Sequence, residues 1–271
     1  MIAPRINYSA AKALEQCARR YAWGFLAFKP VFQPALHLGQ AIHTVAALAA
    51  DAFHRTGNLP DLAELVPPLR LALDKLPPTQ TPVTRAELEA LLDEGIPELE
   101  IFLRDVLPKL ATMKRLETEK WVRVALRDGS RFVIATGKID LLFYDPSQQR
   151  FVILDLKTGR AADDIGSNPQ LALYIAAAPV DPELRAEFGA DIPISACNVY
   201  LEQPKATFVK YDAATHAQSD LEYLVRAGVK AYDLTEFPAQ PNSGCAYCPF
   251  FEACFPSDAL LETQLENSQE N

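Results

Sequence analysis

The apolar segment from Phe151 to Lys157, which reads FVILDLK, constrains the fold more than any other part of the chain. A nearly uninterrupted run of large apolar residues is typical of a strand at the centre of a sheet, covered on both faces. Asp155 and Lys157 lie two positions apart, so in a strand their side chains point to the same face. An acid and an amine at the end of a buried strand are costly to place there, which indicates a functional site.

Hydrophobic periodicity along the chain predicts an α+β fold, with a mixed central sheet flanked by helices. Helices are expected at 9–25, 39–57, 168–178 and 213–232, and strands at 121–126, 132–144, 151–157, 192–201 and 206–211. Asp128-Gly129 and Asp145-Pro146-Ser147 predict the turns that join the first three strands. Between residues 59 and 112 the chain is expected to form short helices, because prolines at that density break longer ones.

We predict a single domain over residues 1–256, with an inserted helical arm at about 59–117 and the catalytic core at about 118–235. A cysteine-containing loop is expected at 238–256. Residues 257–271 are acidic and contain no basic residue, so they are expected to form a disordered tail.

The chain has 26 Lys and Arg against 35 Asp and Glu, a net charge of −9. This balance argues against indiscriminate attraction to nucleic acid but does not exclude a local basic groove. No apolar run is long enough to cross a bilayer and the N-terminus lacks a signal-peptide core, so a cytoplasmic protein without a membrane partner is expected. In that reducing compartment clustered cysteines hold metal more often than they form disulfides.

Asp140 and Asp155 are expected to converge on one divalent cation, because their predicted strands are neighbours joined by a short turn. Carboxylate oxygens favour Mg²⁺ or Mn²⁺ over softer metals. Such an ion polarises a phosphate and lowers the pKa of its bound water, while the Lys157 ammonium can neutralise developing charge. The alternative is that these are ordinary strand-end residues, because an isolated Asp-x-Lys sequence is common.

The cysteines form a second constellation. Cys245, Cys248 and Cys254 lie in one polar loop, and Cys17 completes a set of four if the two ends of the chain meet. Four thiolates suit either structural zinc or a 4Fe–4S cluster. Cys197 lies in an apolar segment and is interpreted as a core thiol.

These motifs resemble the RecB-like, CRISPR-associated-exonuclease-like branch of the PD-(D/E)XK nuclease superfamily. The matching segments are Gly39-Gln40-Ala41-Ile42-His43, Gly137-Lys138-Ile139-Asp140, Asp155-Leu156-Lys157-Thr158-Gly159 and Gln170-x-x-x-Tyr174. The segment from Gly244 to Phe250 resembles the cysteine motif with which such exonucleases hold an iron–sulfur cluster. The resemblance implies a restriction-endonuclease-like fold in which this cluster acts as a staple between the N- and C-terminal segments.

The resemblance also implies roles for individual residues. The implied ligands of Mg²⁺ or Mn²⁺ are His43, Asp140, Asp155 and the Leu156 backbone carbonyl. The implied catalytic residues are Asp140, Asp155 and Lys157, and the implied DNA contacts are Gln170 and Tyr174. The implied ligands of the 4Fe–4S cluster, with zinc as the alternative, are Cys17, Cys245, Cys248 and Cys254. Glu119 is a further candidate acid upstream of the strand pair, in competition with Glu117.

The leading functional prediction is a metal-dependent DNA exonuclease acting on single-stranded or frayed ends, in DNA repair, recombination or CRISPR adaptation. One alternative is a nuclease subunit active only in a complex, with a helicase or CRISPR integrase proteins as partners; the acidic balance of the chain motivates it. Another alternative is a site-specific endonuclease. Circular DNA discriminates between an exonuclease and an endonuclease, because an exonuclease cannot start on a closed circle.

Overall fold

The computed structural model describes residues 4–27, 33–75, 83–129, 131–159, 166–189, 191–202 and 204–255. The acidic tail predicted at 257–271 lies outside these residues. In the part of the chain that is described, no helix is both long enough and apolar enough to cross a membrane.

Helices and strands occur in separate blocks along the chain; in the described residues, five α-helices lie between the first strand and the second. The helices are α1 (Tyr8–Gln16), α2 (Ala18–Ala22), α3 (Pro34–Thr56), α4 (Leu62–Asp74), α5 (Arg85–Ile101), α6 (Pro169–Ala177), α7 (Pro182–Phe188), α8 (Ala213–Asp233) and α9 (Phe251–Cys254). The strands are β1 (Arg5–Ile6), β2 (Lys114–Asp128), β3 (Arg131–Asp145), β4 (Arg150–Lys157), β5 (Ile194–Tyr200) and β6 (Thr207–Lys210). Short π- or 3₁₀-helical turns lie at 23–27, 102–106, 107–110, 178–180 and 243–247.

The strands form one mixed sheet in the order β1-β3-β4-β5-β6, with β2 paired along the other side of β3. β1 is parallel to β3 and β4 is parallel to β5, while the remaining pairs are antiparallel. β4 lies between two partners and is buried from Phe151 to Leu156, as its apolar sequence predicts. A mixed sheet flanked by helices confirms the predicted α+β, restriction-endonuclease-like class.

Both faces of the sheet are covered around β4. Helices α3, α4 and α5 pack on one face, where they enclose Val152, Leu154 and Leu156 of β4. Helices α1, α2, α6 and α8 pack on the other face against Phe151 and Ile153. The helices of the predicted insertion therefore contribute to the main core on their face, and the domain boundaries drawn from the sequence remain predictions.

Several helix bounds differ from the sequence prediction. α3 begins at Pro34 rather than after Gly39, because proline suits the first turn of a helix. Pro67 and Pro68 lie inside α4 instead of breaking it. Buried leucines of α4 pack into the core, and tertiary packing of this kind outweighs the local cost of proline.

The N-terminal helix also differs from its prediction. Asn7 rather than Ser9 caps it, accepting a hydrogen bond from the Ala10 N–H at 2.7 Å. The helix is interrupted at Cys17, whose backbone is extended with φ −164° and ψ 123°. The short strand β1 and helix α7 were not predicted, because two or seven residues carry little periodicity.

We expect packing on α3 to dominate stability. Leu38 is 5% exposed in the core and Leu48 on the same helix is 50% exposed. Leu38→Ala should lower the free energy of unfolding by about 2–5 kcal/mol through lost burial and the cavity left behind. Chemical denaturation measures this, and Leu48→Ala is the matched control with a change of about 0.5 kcal/mol or less. Equal losses in both variants would contradict this assignment of the core.

Candidate active site

The strands β3 and β4 separate at the point where the two predicted acids lie. Their ladder runs from Asp145 and Arg150 to Leu141 and Leu154, and it ends there. Beyond it, the Leu156 N–H donates to Asp140 Oδ2 at 2.7 Å. A carboxylate therefore takes the place of a ladder hydrogen bond, and the sheet opens into a gap lined by acidic oxygens.

The backbone of β4 adds a further oxygen to this gap. The Phe151 N–H donates to the Pro193 carbonyl and the Lys157 carbonyl accepts from the Leu201 N–H, so both residues direct these groups to the β5 side. Because successive residues of a strand direct their backbone polar groups to alternate sides, Leu156 directs its N–H and C=O towards β3. The Leu156 N–H reaches Asp140, and we expect its carbonyl to face the same gap.

His43 is brought to the gap by α3. Its Nδ1 lies 3.0 Å from Asp140 Oδ1. Gly39, one turn earlier, makes the approach possible, because a Cβ there would lie 3.0 Å from Thr158 Oγ1 at the end of β4. Burial lowers the pKa of His43, but the Asp140 carboxylate outweighs it and leaves the pKa above its ordinary value.

Glu119 joins the same group. The pairing of β2 with β3 passes from Thr118/Leu141 to Lys120/Ile139, so Glu119 lies across from Asp140. Glu119 has a φ of +52°, a conformation that is uncommon outside glycine and disrupts the strand at this point. One ligand atom from each of His43, Glu119 and Asp140 lies within 4.8 Å of the other two.

The oxygens of Glu119 indicate room for a cation. Glu119 Oε2 pairs with the Lys138 ammonium. Glu119 Oε1 is buried and has no hydrogen-bond partner among the residues that the structure describes. Because an unpaired buried carboxylate oxygen is costly, this atom suits a metal ligand. Of the two competing acids, the structure therefore brings Glu119 to the site, whereas Glu117 lies 3.9 Å from Lys120.

A chain of polar contacts holds Lys157 over the second acid. Lys157 Nζ lies 2.5 Å from Asp155 Oδ2 and donates to Gln170 Oε1 at 2.9 Å. Gln170 Nε2 donates to Tyr174 Oη at 2.8 Å, and the Tyr174 hydroxyl donates to the Lys138 carbonyl at 2.5 Å. Lys157 and Asp155 thus share a face, as strand alternation predicts, and Gln170 and Tyr174 share one face of α6.

Burial sets the protonation of this pair. Burial raises the pKa of Asp155 to about 6 against the opposing charge of Lys157. Burial lowers the pKa of Lys157, but the Asp155 carboxylate outweighs it and leaves that pKa above its ordinary value. At neutral pH the site therefore holds a carboxylate and an ammonium side by side.

Tyr174 is almost wholly enclosed, at 1% exposure. Gly137 makes this position possible, since a Cβ there would lie 2.7 Å from Tyr174 Cε1 and 3.1 Å from Leu173 Cδ2. From this buried position the Tyr174 hydroxyl accepts a hydrogen bond from Gln170 and so orients it. Contact of either residue with DNA remains a prediction.

Three residues near the site were not identified from the sequence. Asp220 of α8 is buried and accepts hydrogen bonds from Ser167 Oγ at 2.5 Å, the Asn168 N–H at 2.8 Å and the Tyr211 hydroxyl at 2.6 Å. It thereby fixes the start of α6, which carries Gln170. The signal was available: Asp220 is an acid one turn before Leu224, on the apolar side of its helix.

Tyr8 and Asn198 are the other two. Tyr8 begins α1 close enough to Lys157 and Asp155 for their charges to affect its hydroxyl, although burial is the main cause of its raised pKa. Asn198 lies beside Asp155 in the parallel β4–β5 register and is buried. An asparagine between Cys197 and Val199, inside a strand of mostly apolar residues, was the available signal.

The four predicted cluster ligands line a single pocket near the chain ends. Cys17 lies between α1 and α2, and Cys245, Cys248 and Cys254 come from the C-terminal loop and α9. The N-terminal helices and the C-terminal loop meet here, where Asn242 Nδ2 donates to the Gln16 carbonyl at 2.9 Å.

Polar groups of the pocket face the sulfurs. The Gln240 N–H donates to Cys17 Sγ at 3.4 Å, the Asn242 N–H donates to Cys245 Sγ at 3.3 Å, and Arg19 Nη1 lies 3.8 Å from Cys254 Sγ. Hydrogen bonds of this kind orient coordinating sulfurs in metal and iron–sulfur sites. Cys197 packs against the core, and burial raises the pKa of its thiol to about 11.

Comparison with known proteins gives one match that bears on function. Residues 5–255 match the family model of the PD-(D/E)XK nuclease superfamily. No curated protein matches the chain.

Two solved structures are similar to this chain at low sequence identity. The structure of SSO0001 is 14% identical over 92% of this chain and 85% of that chain, with a TM-score of 0.38. Protein VC1899 from Vibrio cholerae is also 14% identical, over 83% of this chain and 57% of that one, with a TM-score of 0.22.

The contact between Gly137 and Tyr174 yields a stability prediction. Gly137→Ala should lower the free energy of unfolding by about 1–3 kcal/mol, because the added methyl group overlaps the tyrosine ring. In a Tyr174→Leu background the same change should cost less, since the overlapping ring atoms are gone. Chemical denaturation of the four proteins measures the coupling. An equal cost in both backgrounds would refute the contact.

Metal binding gives a second prediction. Mn²⁺ at about 100 times its dissociation constant should stabilise the metal-stripped protein by about 2.7 kcal/mol, seen as a higher melting temperature. Asp140→Asn and His43→Ala should lose most of this shift, because each removes a ligand atom. Glu183→Gln, an exposed acid on α7, is the control and should keep it. A full Mn²⁺ shift in the Asp140→Asn protein would place the ion elsewhere.

Proposed function

Because the chain belongs to the PD-(D/E)XK nuclease superfamily, we propose that it is a metal-dependent DNA exonuclease. We propose that it uses Mn²⁺ or Mg²⁺ and acts on single-stranded or frayed ends. The observation that carries the proposal is the convergence of His43, Glu119 and Asp140 beside the Asp155–Lys157 ion pair.

The donor set of the gap fits a divalent cation. His43, Asp140, Asp155 and the Leu156 carbonyl would hold the ion, and the unpaired Glu119 oxygen offers a further ligand. A mixture of imidazole and carboxylates favours Mn²⁺ over Mg²⁺, which prefers oxygen ligands alone. When bound, the cation polarises the scissile phosphate and activates the attacking water.

The remaining residues orient and balance charge. Asp155 keeps Lys157 protonated, and Gln170 holds its ammonium in place, so a positive charge is available where charge develops on the phosphate. Gln170 is half-exposed and is the member of the Gln170–Tyr174 pair that we assign to contact with the DNA strand. Tyr174 keeps Gln170 oriented.

We further propose that Cys17, Cys245, Cys248 and Cys254 hold a 4Fe–4S cluster that joins the chain ends. All four cysteines line one pocket. The spacing of Cys245, Cys248 and Cys254, with Cys17 as a distant fourth ligand, is unlike that of common zinc fingers, whose ligands come as two local pairs. This spacing supports a cluster over a single zinc ion.

Removal of nucleotides from DNA ends suits a role in DNA repair, recombination or CRISPR adaptation.

A second candidate function is a nuclease subunit that acts only with a helicase or an integrase. The net charge of −9 supports it, because such a partner would supply affinity for DNA.

Cleavage assays test the proposal directly. With Mn²⁺ the protein should degrade end-labelled linear single-stranded DNA and leave closed circular DNA intact. Lys157→Ala should lower the rate about 10²- to 10³-fold, because it removes the ammonium that balances the charge developing on the phosphate. Lys210→Ala, an exposed lysine on β6, is the matched control and should leave the rate unchanged. Intact linear DNA with the metal-loaded protein alone would refute an exonuclease that acts by itself and favour the subunit that acts only in a complex. Cut circles would favour an endonuclease.

The cluster has its own test. Protein purified without oxygen should be brown and contain about four iron and four sulfide ions per chain. Cys245→Ser should lose the colour and iron, because a cluster ligand is removed. Cys197→Ala should retain them, since that thiol lies in the core. Colourless protein containing zinc would overturn the cluster assignment while leaving the nuclease site unaffected.

A further inference from the structure

The β2–β3 hairpin extends beyond the rest of the sheet. Its two strands pair continuously from Lys120/Ile139 to Asp128/Arg131. Over that length β4 has already ended, and β1 covers only Ile134 and Ala135. The inner face of the hairpin is buried by α6 and α8, as Val122 and Val133 show.

The outer face of the hairpin is basic and aromatic. Directly opposite residues of an antiparallel pair share a face, and four such pairs lie on this side. They are Trp121/Lys138, Arg123/Thr136, Ala125/Ile134 and Arg127/Phe132. Trp121 is 72% exposed, and the Arg127 guanidinium lies 5.0 Å above the Phe132 ring. These eight positions hold three basic residues, two large aromatic rings and no acid, on a protein whose net charge is −9.

This face is continuous with the candidate active site. Lys138 pairs with Glu119 and lies two residues before Asp140 in β3. From Lys138 to Phe132 the strand spans six residues, or about 20 Å. A stacked nucleic-acid strand advances about 3.4 Å per nucleotide, so the face matches about six nucleotides.

We propose that this face binds the single-stranded DNA flanking the scissile phosphate. Cationic side chains meet the backbone, and exposed aromatic rings stack on bases, which is how proteins hold single strands without reading sequence. Duplex DNA fits less well, because its bases are stacked on one another and unavailable to Trp121. This assignment rests on the proposed nuclease function and identifies the surface that guides a single DNA strand to the active site.

Trp121 supplies its own probe. It is one of two tryptophans in the chain, so a Trp23→Phe protein carries a single indole, on this face. Titration with oligothymidines in EDTA reports binding without metal and without cleavage. Oligothymidine of ten nucleotides should quench the fluorescence, and its affinity should exceed that of a tetramer at least 10-fold, because only the longer strand spans the face.

Variants assign the effect to the hairpin. Trp121→Ala should weaken binding of a labelled decamer about 10-fold or more, and Arg123→Ala should weaken it and reduce its salt dependence. Arg185→Ala, an exposed arginine on α7, is the matched control and should bind as the wild type does. All these side chains are exposed, so melting temperatures should not change.

The outcomes separate this inference from the proposed function. If the wild type cleaves DNA but Trp121→Ala and Arg123→Ala bind the decamer within 2-fold of it, the surface assignment is overturned and the nuclease assignment survives. If the wild type binds with quenching and a length dependence but cleaves nothing, the surface assignment stands and the nuclease proposal fails. A decamer duplex bound more tightly than the single strand would also overturn the inference.

Discussion

The two hydrogen bonds of the Asp140 carboxylate hold the rest of the site together. One oxygen replaces a ladder hydrogen bond by accepting from the Leu156 N–H, and the other meets His43 Nδ1. A single side chain thus joins β3, β4 and α3 at the point where the sheet opens. The gap lies between two core layers, so its polar atoms must form hydrogen bonds with one another or bind a cation. Burying these atoms without such partners would cost free energy.

A second set of contacts orients the lysine. The small Gly137 lets Tyr174 lie against β3, Tyr174 holds Gln170, and Gln170 holds Lys157. Asp220 fixes the start of α6 from the neighbouring helix. The position of one ammonium therefore depends on β3, α6 and α8 together, so changes several residues from the chemistry should disturb it.

Much of this arrangement could be predicted from the sequence. The run from Phe151 to Leu156 identified the central strand because burial on both faces leaves a local signature. Gly39 and Gly137 belong to the recognised motifs. In the structure a Cβ at either position would come too close to a neighbouring side chain. Alternation placed Asp155 and Lys157 on one face without any knowledge of the fold.

What could not be predicted depends on distant partners. Pro67 and Pro68 remain in a helix because α4 is held by core packing, which local propensity does not register. The left-handed backbone of Glu119 and the three hydrogen bonds of Asp220 arise only once separate segments meet.

Anomalous diffraction from crystals grown with Mn²⁺ locates the cation. We expect a manganese peak bounded by His43, Asp140 and Asp155. A map with manganese elsewhere and this gap free of it would refute the proposed metal site.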